Sequence, residues 1–90
     1  MCSIRYEEDR HRSAAYDGGK MVGECYYRRD GRVWVIDHTQ IETDYLKEGA
    51  ADKLVQCVVE KAREEGAIVV PICIYAAGWF RRNTAFRDVL

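Results

Sequence analysis

The hydrophobic period of the chain changes at Gly49. Beyond it the apolar residues fall at Ala51, Leu54, Val55, Val58, Val59 and Ala62, the i, i+3, i+4, i+7, i+8, i+11 stripe of an amphipathic helix. Asp52, Lys53, Gln56, Glu60, Lys61, Arg63 and Glu64 lie off the stripe, and Gly66 is the expected stop. Before Gly49 the pattern is short runs of period two, cut by turns. A segment cannot satisfy both periods, so the chain must build a sheet first and then a helix to cover it.

The runs define the elements. Ser3 to Glu7 and Arg12 to Tyr16 read as short strands around a charged turn over Glu7 to Arg12. Asp17-Gly18-Gly19 is a strong hairpin turn, because glycine accepts positive φ without a Cβ clash. A third strand over Lys20 to Arg28 places Val22, Glu24 and Tyr26 on one face and Met21, Gly23, Cys25 and Tyr27 on the other. After a turn at Arg29-Asp30-Gly31, Arg32 to Gln40 forms a fourth strand, whose period puts Trp34, Ile36 and His38 together, opposite Val33, Val35, Asp37 and Thr39. Past the helix, the apolar run Ala67 to Cys73 reads as a strand covered on both faces and positioned to pair in parallel with the fourth. Pro71 lacks an N–H, so pairing should lapse near it. Ile74 to Arg82 reads as a short second helix with Trp79 and Phe80 inward, and Asn83 to Leu90 as irregular or a last strand. The order β-β-β-β-α-β-α makes residues 1–90 one domain of the α+β (mixed α/β) class.

Composition excludes several functions. Ninety residues permit one modest core. The longest apolar runs, Val33 to Ile36 and Ala67 to Ile72, fall far short of the ~20 residues that cross a bilayer. The start, Met1-Cys2-Ser3-Ile4-Arg5, has no signal-peptide apolar region, so a cytoplasmic location and no membrane partner are expected. Cys2, Cys25, Cys57 and Cys73 form no Cys-x-x-Cys, and His11 and His38 are not spaced as ligands beside them, so neither a metal site nor disulfides are expected. Formal charge is +1 over residues 1–32, −4 over 33–66 and +2 over 67–90. No block is basic enough for nucleic acid.

Three features carry candidate chemistry. Gly49, followed by Ala50 and Ala51, opens the helix with small residues that let an anion approach free backbone N–H groups, although Glu42, Asp44, Glu48 and Asp52 surround it. Cys73, at the end of a strand and the start of a helix, is either a nucleophile or a core thiol. His38 is either a general base or a hydrogen-bonded histidine at a strand end. In a βαβ unit the carboxyl ends of the parallel strands meet the start of the crossover helix, so the three would converge there. A phosphate site, a nucleophile and a base together suggest acyl transfer from a nucleotide-bearing carrier.

The ordered set His38-Thr39, Ile41, Gly49-x-Ala51, Leu54-Val55, Ala62, Gly66 and Pro71-x-Cys73-x-Tyr75 resembles the short single-domain members of the GNAT superfamily of N-acetyltransferases, over roughly residues 16 to 90. The resemblance implies an antiparallel sheet splayed at strands four and five, with a crossover helix, a short second helix and the pantetheine arm of acetyl-CoA in the splay. It implies a coenzyme A site at Ile41, Lys47, Glu48, Gly49, Ala50, Ala51 and Tyr75, with Cys73 and His38 as catalytic candidates. The superfamily loop Gln/Arg-x-x-Gly-x-Gly/Ala reads Leu46-Lys47-Glu48-Gly49-Ala50-Ala51 here, keeping the glycine and the last small residue. The activity implied is transfer of an acetyl group from acetyl-CoA to an amine, on a small molecule or a protein lysine, by a monomer or weak homodimer. The alternatives are a non-catalytic acetyl-CoA-binding regulatory module and a scaffold for protein contacts, in which Tyr26, Tyr27, Trp34 and Trp79 form the contact patch.

Overall fold

In a computed structural model, which describes residues 2–90, five strands form one sheet in the order β1-β2-β3-β4-β5. β1 (Ser3–Glu7), β2 (Arg12–Asp17), β3 (Lys20–Asp30) and β4 (Val33–Ile41) are an antiparallel meander. The chain then runs through a 3-10 turn over Thr43–Glu48 and the helix α1 (Ala50–Glu64), and returns as β5 (Ile68–Pro71), parallel to β4. The helix α2 (Ile74–Arg82) and 3-10 turns over Thr84–Val89 close the chain, so the tail is helical and adds no strand.

The predicted turn at Asp17-Gly18-Gly19 holds, whereas the second one moves along the chain: β3 runs on through Arg29 and Asp30, and the chain turns at Gly31 and Arg32. Gly18 (φ +59°) and Gly19 (φ +87°) make the β2–β3 hairpin in the left-handed region that a side chain disfavours. The predicted stripe of α1 is the buried one. Leu54, Val55, Val58 and Val59 are fully buried against the sheet, each contributing about 1.5–3 kcal/mol of apolar burial. A buried polar tie joins the layers. The buried Ser13 Oγ donates to the carbonyl oxygen of Leu54 (2.7 Å), satisfying a hydroxyl that would otherwise cost stability. Tyr27 stacks on Trp34 at 4.2 Å between ring centroids, and its hydroxyl meets that of Tyr6. Trp79 and Phe80 of α2 point inward as expected. Because Tyr27, Trp34 and Trp79 are buried, the four aromatics do not form a contact patch.

Two register slips correct the expected faces. Ala15 pairs with Gly23 but Tyr16 pairs with Met21, so Val22 is an extra residue on β3 and joins the core with Cys25 and Tyr27. Tyr26 pairs with His38 but Tyr27 pairs with Ile36, so Asp37 is an extra residue on β4. An extra residue reverses the alternation beyond it. Trp34 and Ile36 are buried while His38 is exposed, and Thr39 and Ile41 turn toward the interior instead.

The expectation for β5 is corrected as well. It is an edge strand, paired only with β4. Val69 is buried, but Ile68 and Val70 are exposed, because the two helices cover one face of the sheet and leave the other open.

On that open face a cross-strand row of polar residues supports the meander. Arg12 Nε donates to Glu7 (2.6 Å), Arg12 Nη1 to the Tyr26 hydroxyl (2.7 Å), and the Tyr16 hydroxyl to the other Glu7 oxygen (2.5 Å). Arg12 is buried, and its charge is tolerated because these partners surround it. Hydrogen bonds from Tyr16 and Arg12 hold the Glu7 carboxyl below its ordinary range.

Candidate active site at the parting of two strands

β4 and β5 pair from Val33↔Ile68 to Ile36↔Pro71 and then separate. Pro71 has no N–H to extend the ladder. The next two amides, of Ile72 (2.9 Å) and Cys73 (3.2 Å), both turn back onto the single carbonyl oxygen of Ile36. The chain then leaves the sheet as α2. From His38 to Ile41, β4 is paired only with β3, and its other edge has no strand partner, which leaves an opening in the sheet.

Cys73 stands at this opening as the N-cap of α2, and its sulfur accepts the Ala76 N–H (3.4 Å). It is half-buried, whereas its neighbours Ile72, Ile74 and Tyr75 are exposed at 60%, 85% and 40%. These side chains make the exposed surface beside Cys73 apolar. Thr39, carried inward by the register slip, lies between two sulfurs. Its Oγ1 is 3.2 Å from Cys73 Sγ and 3.4 Å from Cys25 Sγ. Cys25 is fully buried, and burial pushes its thiol up to about 12, against the opposing hydrogen bond from Thr39.

The other predicted residues fall in two places. Lys47 and Glu48 are exposed on the 3-10 turn, which ends at Gly49. Gly49 (φ +73°) takes the left-handed conformation that lets the turn stop and α1 begin on the same residue. Its own amide closes on Leu46 (3.1 Å), and Lys53 is the first amide to close back on Gly49 (3.1 Å). Helix geometry therefore leaves the amides of Ala50, Ala51 and Asp52 at the free end of α1. The methyl groups of Ala50 and Ala51 are buried beneath it. Ile41 is half-buried against the core between this end and the opening. The turn is anchored by the Tyr45 hydroxyl, which donates to Asp17 on the β2–β3 hairpin (2.5 Å). The acidic surroundings read from the sequence are partly countered in space, since Arg82 at the end of α2 pairs with Asp52 (2.6 Å).

His38 is the residue that its predicted grouping misplaces. Its neighbour Thr39 points in toward Cys73, and His38 lies on the open face, 5.8 Å from the Tyr26 ring. The two catalytic candidates thus border the same unpaired edge of β4 from opposite faces. Plain alternation passes over Thr39, which comes beside Cys73 only through the slip at Asp37. The signal available was its pairing opposite Cys25 in the β3–β4 hairpin. A separate groove of about 600 Å³ runs between β1 and α1, lined by Ile4, Tyr6 and Cys57 with Lys53, Glu60 and Lys61 on its rim.

A meander, a crossover helix and a parallel fifth strand that parts from the fourth define a class of small acyltransferase-like domains, and comparison with known proteins agrees. The profile of the GCN5-related N-acetyltransferase family matches residues 12–89. The chain belongs to that family. Its fold is similar to the solution NMR structure of a GCN5-like candidate N-acetyltransferase from Staphylococcus aureus, at 27% identity and a TM-score of 0.74, covering 97% of this chain and 85% of the other. Among curated proteins, none matches the chain. No helix of the described residues is long and apolar enough to cross a membrane.

Proposed function

We propose that the protein is an acetyl-CoA-dependent N-acetyltransferase whose acyl group is presented at the opening between β4 and β5. The observation that carries this reading is the loss of pairing beyond Ile36 and Pro71 with Cys73 at its edge. The unpaired edge of β4 is a hydrogen-bonding template for the amides of a pantetheine arm, as an open strand edge is for any extended chain. The amides of Ala50, Ala51 and Asp52 supply donors for the pyrophosphate, with the dipole of a 15-residue helix behind them. Ile41, Gly49 and Tyr75 would border the arm between these ends, with Lys47 and Glu48 flanking the phosphates.

Two routes share this arrangement. In the direct route an amine nitrogen attacks the thioester carbon, the carbon–sulfur bond breaks, and coenzyme A leaves as a thiolate that takes up the amine's proton. In the two-step route the Cys73 sulfur attacks first, coenzyme A leaves with its proton, and the amine then attacks acetyl-Cys73 to release the free thiol. His38, on the face opposite Thr39, is the base for an amine arriving from that side.

Calorimetric titration with acetyl-CoA and intact-mass measurement after incubation, each on wild type and Cys73→Ala, test the reading. Saturable binding, with coenzyme A released in the presence of amines, is expected. A +42 Da adduct lost in Cys73→Ala selects the two-step route. Binding with no turnover on any amine would replace the enzyme by a regulatory acetyl-CoA-binding module, which Glu48 and Asp52 beside the phosphate end favour. Neither binding nor turnover would leave a scaffold for protein contacts.

A further inference from the structure

One hydroxyl stands between two thiols, and a hydroxyl has one hydrogen to give. Thr39 Oγ1 is 3.4 Å from Cys25 Sγ and 3.2 Å from Cys73 Sγ. Cys25 is fully buried and keeps its proton, so it can either accept or donate. When Cys73 is a thiol, its S–H donates to Thr39 and Thr39 donates to Cys25. When Cys73 is a thiolate, it can only accept. The hydroxyl must then turn toward it, and the proton of Cys25 fills the place vacated on Thr39. Both arrangements are fully satisfied, and the change between them is a rotation about one Thr39 bond. The Ala76 N–H donates to the same sulfur (3.4 Å).

We propose that Thr39 is the positioning residue for Cys73: its hydroxyl holds the sulfur at the open edge of β4 and donates to it in the thiolate form, with Cys25 as the buried partner that lets the hydroxyl turn. Its use in acyl transfer rests on Cys73 being the atom that meets the acyl donor, whereas the hydrogen bonding of Thr39 to that sulfur does not. It explains two features with one role. The slip at Asp37 brings a β-branched hydroxyl, not His38, to the inner side, and a thiol rather than an aliphatic side chain sits behind it at Cys25. It also separates two demands on the same position. Threonine's methyl helps fill the interior, while its hydroxyl serves Cys73, so shape and chemistry can be removed one at a time.

The test uses the full chain and reads Cys73 directly. Folded wild type, Thr39→Val and Thr39→Ser are treated with iodoacetamide at neutral pH, and alkylation of Cys73 and Cys57 is followed by peptide mass spectrometry, with Cys57 on α1 as the internal reference. Thr39→Val keeps the shape and removes the hydroxyl. It is expected to slow Cys73 by about tenfold, the effect of one hydrogen bond to a charged sulfur, and to leave Cys57 unchanged. Thr39→Ser loses the methyl, is expected to unfold at a lower temperature, and should react within about twofold of wild type. Thr39→Ala replaces Thr39→Val as the hydroxyl-free variant if the latter does not fold. Cys73 reacting in the hydroxyl-free variant as fast as in wild type overturns the proposal, and so does a folded Thr39→Ser as slow as Thr39→Val. Acetyl-CoA turnover is assayed on the same samples. A wild type that alkylates as expected but never turns over acetyl-CoA would sink the acyltransferase reading and leave the role of Thr39 standing.

Discussion

β4 is one strand with two environments. From Val33 to Ile36 it is hydrogen-bonded to β3 on one side and β5 on the other, and its inward residues Trp34 and Ile36 are fully buried. From His38 to Ile41 it keeps β3 alone, and from Asp37 onward its side chains are half-buried or exposed. The closed half contributes stability; the open half leaves one backbone edge unpaired and carries Thr39 on one face and His38 on the other. Two small departures make the difference: one residue too many at Asp37 and one N–H too few at Pro71. A site of this kind needs no extra segment, which suits a domain of this size.

The comparison can be broken most forcefully in the closed half. Trp34→Ala removes a fully buried ring stacked on Tyr27 and is expected to cost about 3–5 kcal/mol, read from urea unfolding. That is a large share of what a domain this small has in total. Gly23→Ala strikes the open half. Its Cβ would sit 2.4 Å from Ile41 Cδ1 and 2.8 Å from the Gln40 carbonyl oxygen, so the end of β4 must move. The expected loss is about 1–3 kcal/mol, with Cys73 alkylation altered more than the near-ultraviolet signal of Trp34.

Glu7→Gln tests the polar row that reaches His38 through Arg12 and Tyr26. It is expected to cost about 1–2 kcal/mol at neutral pH. The Glu7 carboxyl is held below its ordinary 4.5 by Tyr16 and Arg12, so the folded state releases this proton more readily than the unfolded chain. Its stabilisation is therefore present above that value and is lost as pH falls through and below it. The variant's unfolding midpoint should be flatter than wild type's over that acid range. The smallest effect is expected at the mouth of the opening. Asp52 and Arg82 are both about half exposed, so Arg82→Ala should change stability by less than about 1 kcal/mol, while acetyl-CoA affinity, read by calorimetry, is the more sensitive measurement.

Much of this was legible from residue order. The stripe from Ala51 to Ala62, the glycines of the β2–β3 hairpin and the stop at Gly66 each carry a local physical signature, and all are found in place. Pro71 announced that pairing would lapse, and it does. The extra residues Val22 and Asp37 had no such signature. A register slip is settled by what lies across the strand, and neither residue is a glycine that would mark it. Plain alternation therefore groups His38 with Trp34 and Ile36 and gives no sign of Thr39 beside Cys73. The apolar run through β5 was expected to be covered twice because composition records hydrophobicity but not the number of layers. The sheet has helices on one side only, so Ile68 and Val70 remain exposed.

The strand order also bears on how the molecule assembles. β1 to β4 are neighbours in sequence as well as in space, so each hairpin can form with little chain to close. β5 reaches β4 only after the whole of α1 has been laid down, and its ladder is the least local pairing in the sheet. The opening beside Cys73 is therefore completed late, on a meander already formed. In native-state hydrogen exchange, the Ile68 amide, bonded to Arg32 at the start of that ladder, is expected to open at lower free energy than the β3–β4 amides. The parting of β4 and β5 would then loosen more readily than the meander it rests on.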